Sequence, residues 1–294
     1  MRLVAIVNPI SGGGAAKEQW PAVEAELARL GVSDVEVIES TSSADATALA
    51  AAAARDGAVA VAVGGDGQVR DVAAGVLTVD GARMGIAAAG RGNDLVRHLG
   101  LPLDPVAIAQ ILAGDRVRRI DVLDIATSDG STVTAVGNVY VGLDSVATEL
   151  INRLRWMGRL AYRVAPVLTA LRWKPFRVAL TIDGHRSQAK AHMVVIANSG
   201  DYGHGLRMVP SASVDSGSVE VMLLRGEHSV FGLASLMKQA KTGAHVDRRE
   251  VEFHNGTTVT IDADRPLPVH ADGDLVAEFP VTVTLRSAVL PILV

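Results

Sequence analysis

The chain has 294 residues, 49% hydrophobic and 20% charged, which allows a sizeable core and argues against a disordered polymer. Its formal charge of −4 gives no global basic signature, so nucleic-acid binding finds no support, and the lack of cysteine excludes disulfides and thiolate metal sites. Aromatic residues are only 3% of the chain, which leaves Ala, Val and Leu to build the interior.

The opening run Met1-Arg2-Leu3-Val4-Ala5-Ile6-Val7 reads as a buried strand that meets Asn8-Pro9 too soon for a leader peptide. Strands are expected at Leu3–Val7, Val35–Glu39, Val59–Val63 and Met84–Ala88. Helices are expected at Ala15–Leu30, Ala44–Arg55, Val69–Leu77, Asp94–Leu99 and Val106–Ala113, the last with Asp104 as N-cap and Pro105 at its first position. Such alternation implies an N-terminal α/β domain, residues 1–119, with a doubly wound parallel sheet.

After Arg119 the texture changes to short strand-like runs: Ile120–Ala126, Thr132–Val141, Phe176–Ile182, Ala191–Ala197, Val219–Leu224, Val251–Glu252, Thr257–Ile261 and Val281–Arg286. Asp183-Gly184 and Asn255-Gly256 signal hairpin turns. Two helical pieces, Ala147–Leu171 and Val230–Thr242, interrupt the strands. Residues 120–294 therefore read as a β-rich antiparallel sandwich, and the apolar final stretch, 285–294, is expected to return and pack on the first domain. The longest apolar tract, Ala44–Ala60, is broken by Asp45, Arg55 and Asp56 and falls short of a membrane span, so a cytoplasmic protein is expected.

The chemistry gathers where strands end. Gly64-Gly65-Asp66-Gly67 follows the third strand, Gly90-Arg91-Gly92-Asn93-Asp94 the fourth, and Asn8-Pro9-Ile10-Ser11-Gly12-Gly13-Gly14 the first. In a parallel sheet these turns share the carboxyl edge, where backbone N–H groups meet phosphates. Asp66 among the glycines would repel a bare anion; it makes sense beside a divalent cation or a transferable proton. Neither a Walker A loop nor a strict G-x-G-x-x-G is present.

These pieces, with Thr41, Ile120-Asp121, Asn198, Tyr202-Gly203, Pro210-x-Ala212, Asp215 with Gly217, and Asp272-Gly273-Asp274, occur in the order and spacing of the diacylglycerol kinase catalytic family, which the chain resembles over nearly its full length. The resemblance implies phosphoryl transfer from ATP to a lipid hydroxyl, with Mg²⁺ as the metal. It places Asn8, Ser11, Gly12, Gly13, Thr41, Gly64, Gly65, Gly67, Gln68, Gly90, Arg91, Gly92 and Asn93 around the nucleotide phosphates, with Lys17 as a further phosphate contact or a solvated lysine. Asp274 stands where the family's glutamate receives the hydroxyl proton, and Asp66 takes a metal-linked or base role. Asp215 falls on an acidic position that helps hold a structural Mg²⁺. Asp121 is expected to join a carboxylate network toward Asp66 or to be a surface turn residue.

This chain departs from the family pattern at Gln68 (usually threonine), Arg91 (usually a small hydroxyl residue), Ser216 (often a second aspartate) and Asp274. Among the histidines, His192 reads as core, while His204 and His270 lie near the expected site without any metal-binding spacing.

Between Asn152 and Arg177 there is no acidic residue, while Arg153, Arg155, Arg159, Arg163, Arg172, Lys174 and Arg177 accumulate around Trp156, Tyr162 and Trp173. The segment 153–177 reads as a peripheral contact with an anionic membrane carrying the lipid substrate, or as a solvated helix face. A homodimer is compatible with the sequence. Two other functions stay open: a kinase for a soluble acceptor, like the NAD kinases, and a nucleotide- or lipid-binding protein of weak catalytic power.

Overall fold

The computed structural model describes residues 1–203, 205–226 and 230–294, with the side chains at 155, 159, 162, 163, 230, 231, 233 and 234 outside the description. By internal contacts the backbone forms two units: Met1–Val122 with Gly203–Gly205 and Arg286–Val294, and Leu123–Tyr202 with Leu206–Leu285. The sequence-based change of texture at Arg119 lies slightly earlier, inside the strand that runs through this boundary.

In the first unit, β1 (Leu3–Val7), β2 (Val35–Glu39), β3 (Val59–Gly64) and β4 (Met84–Ala88) form a parallel sheet in the order β2-β1-β3-β4. β1, β3 and β4 are buried along their whole length, as uninterrupted Val, Ala and Ile runs require in a sheet covered on both faces. β2, at the edge, carries Glu36 and Glu39 and is largely exposed. α1 (Ala15–Arg29), α2 (Ser43–Arg55), α3 (Asp66–Val76), α4 (Asp94–Leu99) and α5 (Pro105–Ala113) connect the strands. The Asp104 carboxylate accepts the Ala107 N–H at 3.0 Å, so α5 starts at its expected cap. One core joins Leu3, Val7, Trp20, Leu27, Val61 and Leu112. Leu3 and Leu27 are fully buried, each worth about 1.5–3 kcal/mol of transfer free energy.

α3 begins three residues before the expected Val69, so Asp66, Gly67 and Gln68 form its first turn rather than a loop. The reason is electrostatic as much as steric: an acidic residue in the first turn faces the unpaired N–H groups of the helix start.

β5 (Val117–Ala126) carries the chain into the second unit, whose strands are β6 (Thr132–Ala135), β7 (Asn138–Gly142), β8 (Phe176–Ile182), β9 (His185–Ala197), β10 (Val219–Arg225), β11 (Val251–Gly256), β12 (Thr258–Ala263), β13 (Pro268–Ala271), β14 (Asp274–Glu278) and the start of β15 (Val281–Leu293). Pairing is antiparallel throughout the registered pairs. The first half of β9 pairs with β8 and its second half with β7 and β10, so one long strand serves both layers of a sandwich. Val139, Val194, Phe176, Leu223 and Val283 meet in the core between them. Asp183 and Gly184 have φ of 46° and 84° and close the β8–β9 hairpin as expected.

Three expectations are corrected here. The run Thr132–Val141 divides into β6 and β7, because the N–H groups of Val136, Gly137 and Asn138 turn to the Asp272 carboxylate. The single helix at Ala147–Leu171 is α6 (Leu143–Arg153) and α7 (Ala161–Arg172), joined by a 3-10 segment whose Gly158 has φ 57° and ψ −131°. Asn255-Gly256 is no hairpin turn: it ends β11, which pairs with β10, whereas β12 pairs with β8 and β15. The remaining helix, α8, spans Val230–Ala240.

The last residues of β15, Arg286 onward, cluster with the first unit, where Ile292 pairs in parallel with Met84 and the Val294 N–H donates to the Arg116 carbonyl at 3.0 Å.

Candidate active site

In the first unit the three strand-end turns come together. The Ser11 hydroxyl oxygen accepts the Gly65 N–H at 2.8 Å, which joins the turn after β1 to the turn after β3. Gly65 in turn lies so close to Gly90 that a Cβ on Gly90 would stand 2.4 Å from the Gly65 Cα. Gly12 has φ 63°, and a Cβ there would stand 2.2 Å from the Ala89 carbonyl oxygen. Only glycine satisfies both the left-handed backbone and that approach. The outcome is a set of interlocked glycine turns at the carboxyl edge of the sheet, next to the starts of α3 and α4.

Asp66 opens α3, and its carboxylate accepts the Asn93 N–H at 2.9 Å. Asn93 sits at the N-cap of α4 with φ 54°, and its buried side chain closes its own turn: Oδ1 accepts the Gly90 N–H at 2.9 Å and Nδ2 donates to the Gly90 carbonyl at 3.1 Å. The amide of Asn93 thus shapes the turn. Arg91 is exposed at the tip of the same turn, while Gly92 is buried and its carbonyl accepts Arg97 Nε–H at 3.0 Å. Asp94 accepts the Gly205 N–H at 3.0 Å.

Several expected phosphate contacts are engaged elsewhere. Gln68 is buried, and its Nε2 donates to the Ile6 carbonyl at 2.9 Å, so its side chain supports β1 rather than reaching a ligand. Gly64, without a Cβ, leaves the room that Gln68 fills. Thr41 donates its N–H and hydroxyl to Asp45 at 2.8 Å each, beside the Ser42 cap of α2. Lys17 pairs with Glu39 at 2.7 Å on the surface. Asp121 is fully buried in β5 and accepts the Ala288 N–H at 2.7 Å; it is not a surface turn residue, and it fixes the returning end of β15.

In the second unit, Asp272 and Gly273 form the β13–β14 turn with φ of 50° and 92°. The Asp272 carboxylate accepts three main-chain N–H groups: Val136 at 2.8 Å, Gly137 at 2.9 Å and Asn138 at 3.1 Å. Asp272 is therefore committed to the fold, and Asp274, exposed at the first position of β14, is the carboxylate this hairpin presents.

Beneath the hairpin lies a polar cluster that sequence reading missed. His270 is 0% exposed and stacks on Tyr140, ring centroids 5.5 Å apart. Tyr140 meets Tyr202 edge to face at 4.8 Å, and the Tyr202 hydroxyl donates to the Asp144 carboxylate. Burial pushes the Asp144 carboxyl and the Tyr140 phenol above their ordinary ranges, and Asp144, Asp272 and Asp274 push Tyr140 further. Burial lowers His270 to about 4, so it is neutral. Tyr202 belongs to the quoted motif set, but nothing local in the sequence links it to Asp144. His192 is buried, as expected of core; His204 lies outside the described residues.

Asp215 lies in the loop before β10, where its carboxylate accepts the Ser213 hydroxyl at 2.6 Å. The Ser216 hydroxyl lies 2.9 and 2.8 Å from the Ser213 and Ser218 carbonyl oxygens, which compete for its single proton. Among the described residues no group of three or more His, Asp or Glu side chains could cage a metal ion. A hard cation would have one carboxylate and main-chain oxygens in this loop, a donor set of the right kind but sparse for a protein-only site.

Comparison with known proteins matches residues 2–125 to the family model described as the diacylglycerol kinase catalytic domain, and residues 137–294 to the YegS C-terminal NAD kinase beta sandwich-like domain. A Mycobacterium tuberculosis protein named diacylglycerol kinase is 33% identical over 296 residues, covering 99% of this chain and 94% of that protein. A Bacillus subtilis protein of the same name is 22% identical over 273 residues, covering 92% and 88%. The crystal structure of a diacylglycerol kinase from Bacillus anthracis superimposes with a TM-score of 0.72 over 99% of this chain and 96% of that one at 17% identity, a shared fold.

Proposed function

The chain belongs to the diacylglycerol kinase catalytic-domain family, and on that premise we propose that it transfers the γ-phosphoryl group of ATP to the hydroxyl of a lipid alcohol, diacylglycerol first among them. The reading is carried by one observation: three glycine turns held together by Ser11, Gly65 and Gly90, with Asp66 at their centre on the Asn93 N–H. The N–H groups of Gly12 and Gly92 are assigned to the nucleotide phosphates, where oriented main-chain dipoles bind anions without side chains.

Asp274 is assigned as the proton acceptor. As the acceptor oxygen forms its bond to the γ-phosphorus, its proton passes to the Asp274 carboxylate, and ADP leaves with the electron pair of the broken bridging P–O bond. Asp66 is assigned to the side of the phosphates. Mg²⁺, arriving with the nucleotide, would neutralise phosphate charge, and Asp215 is a separate candidate ligand for a structural ion.

A lipid acceptor is favoured by the surface of α6, α7 and their connection. Trp156 is 81% exposed, with Leu160, Val167 and Leu171 also open to solvent, in a stretch without acidic residues. Aromatic and aliphatic side chains among arginines suit the interface of an anionic bilayer. Among the described residues no helix is long and apolar enough to cross a membrane.

The deciding experiment incubates the protein with γ-labelled ATP, Mg²⁺ and diacylglycerol in mixed micelles. Label in phosphatidate that disappears in Asp66→Asn and Asp274→Asn supports the reading; absence of label from a broad panel of lipid alcohols ends it. The NAD kinase-like description of the second unit favours one alternative, a soluble acceptor; label transferred to NAD and to no lipid would establish it.

A further inference from the structure

Gln68 is the third residue of α3, the position from which a glutamine usually reaches back to the N–H of the N-cap in a capping box. In this helix the N-cap is Gly65, and its N–H is already held by the Ser11 hydroxyl oxygen at 2.8 Å. The Gln68 amide turns the other way, and its Nε2 donates to the Ile6 carbonyl of β1 at 2.9 Å. Two side chains therefore cross in opposite senses: Ser11 runs from the turn after β1 to the start of α3, and Gln68 from α3 back to β1.

Both close on Gly64, the last residue of β3. A Cβ there would stand 2.7 Å from Gln68 Cβ, 2.9 Å from Gln68 Cγ and 3.4 Å from Ser11 Oγ, so the missing side chain makes room for the crossing. Gln68 is only 4% exposed, and a buried amide is tolerated where it is bonded. The order β2-β1-β3-β4 makes β1 and β3 the strands between which an open α/β sheet changes direction and binds its ligand. Asp66 stands between Gly65 and Gln68, so the carboxylate that accepts the Asn93 N–H is carried on a turn fixed at both ends.

We infer that Ser11 and Gln68 form a reciprocal latch between the end of β1 and the start of α3, and that Gln68 is a positioning residue: it contacts no ligand and sets where Asp66 stands. The latch is a property of the first unit alone. Its effect on nucleotide binding rests on the reading of the glycine turns given under the proposed function.

The test compares the full chain with Gln68→Met, which keeps the stem against Gly64 and removes the donor. Two quantities are read: hydrogen exchange at the Asn93 amide, with the Val61 amide of buried β3 as reference, and the affinity for ATP with Mg²⁺ by calorimetry. In Gln68→Met the Asn93 amide is expected to exchange about tenfold faster, as a local opening made easier by ~1.4 kcal/mol would have it, and ATP to bind about tenfold more weakly. Faster exchange at Val61 with Asn93 unchanged would give the Ile6 bond to the global fold and overturn the inference. Weaker ATP binding with Asn93 unchanged would make Gln68 a direct ligand contact, and faster exchange with unchanged affinity would remove its positioning role; either is equally fatal. Combined with Ser11→Ala, the effects on Asn93 exchange are expected to overlap, because the two residues act on one opening. Effects that simply multiply would reduce the latch to two unrelated bonds. Should Gln68→Met not fold, Gln68→Thr, two bonds shorter and still polar, is held to the same outcomes. A parent chain that binds no nucleotide would end the kinase reading, while exchange at Asn93 would still decide the latch.

Discussion

The Asp66 carboxylate accepts the Asn93 N–H at 2.9 Å, so the acidic residue that opens α3 holds the N-cap of α4. Asp66→Asn keeps an oxygen acceptor for that N–H and removes only the charge. The expected outcome is a fall in turnover of about 10²-fold or more, the range of a lost acid–base or metal-linked group, with the unfolding free energy changed by about 1 kcal/mol or less. Steady-state assays with labelled ATP, paired with urea unfolding, check both halves.

Gly12 and Gly13 separate two costs that are usually confounded. Both have positive φ, 63° and 79°, but a Cβ on Gly13 meets nothing within 4 Å, whereas one on Gly12 stands 2.2 Å from the Ala89 carbonyl. Gly13→Ala is expected to cost about 1–2 kcal/mol of backbone strain alone. Gly12→Ala adds the displacement of the turn after β4 and is expected to cost about 3 kcal/mol or more. The thermal shift produced by added ATP should shrink in Gly13→Ala and vanish in Gly12→Ala.

The hairpin aspartates offer the opposite contrast, between fold and chemistry. Asp272→Ala leaves the N–H groups of Val136, Gly137 and Asn138 without their acceptor. Water can reach some of these part-buried groups, so the expected cost is about 3 kcal/mol rather than the full sum. Asp274→Ala, at an exposed strand start, should change stability by about 0.5 kcal/mol or less while removing most turnover. Similar losses of stability in the two variants would contradict this division of labour.

Much of this was legible from local pattern. The first-unit strands followed from uninterrupted Val, Ala and Ile runs, and the Asp104-Pro105 cap from the chemistry of a helix start. The clustering of Gly12, Gly65 and Gly90 followed from parallel topology, which sets every strand end on one edge. What escaped was set by partners distant in sequence. Gln68 has the donors of a phosphate contact, but the Ile6 carbonyl, 62 positions away, claims one of them. Val136 interrupts an apolar run only because Asp272, 136 positions on, offers a better acceptor than a strand neighbour. The Tyr140, Tyr202 and His270 stack joins three strand and loop segments whose spacing carries no period.

His270 makes stability depend on pH with a definite sign. It is fully buried, neither ring nitrogen has a hydrogen-bond partner, and burial lowers it from 6.5 to about 4. The unfolded chain therefore binds a proton near pH 6.5 that the folded chain refuses until about pH 4. Stability from this group is fully present above pH 6.5, is lost as pH falls through that window, and does not return on the acid side. Between pH 8 and pH 5 the loss should be about 2 kcal/mol. His245, also lowered by burial, adds a loss of the same sign. His270→Phe keeps the stack on Tyr140 and has no proton to take up, so it should flatten the profile by His270's share and leave that of His245. Urea midpoints at pH 8 and pH 5 for the two proteins provide the comparison. Equal slopes would mean that the buried imidazole is protonated in the folded chain, with a counter-charge beneath the hairpin that carries Asp274.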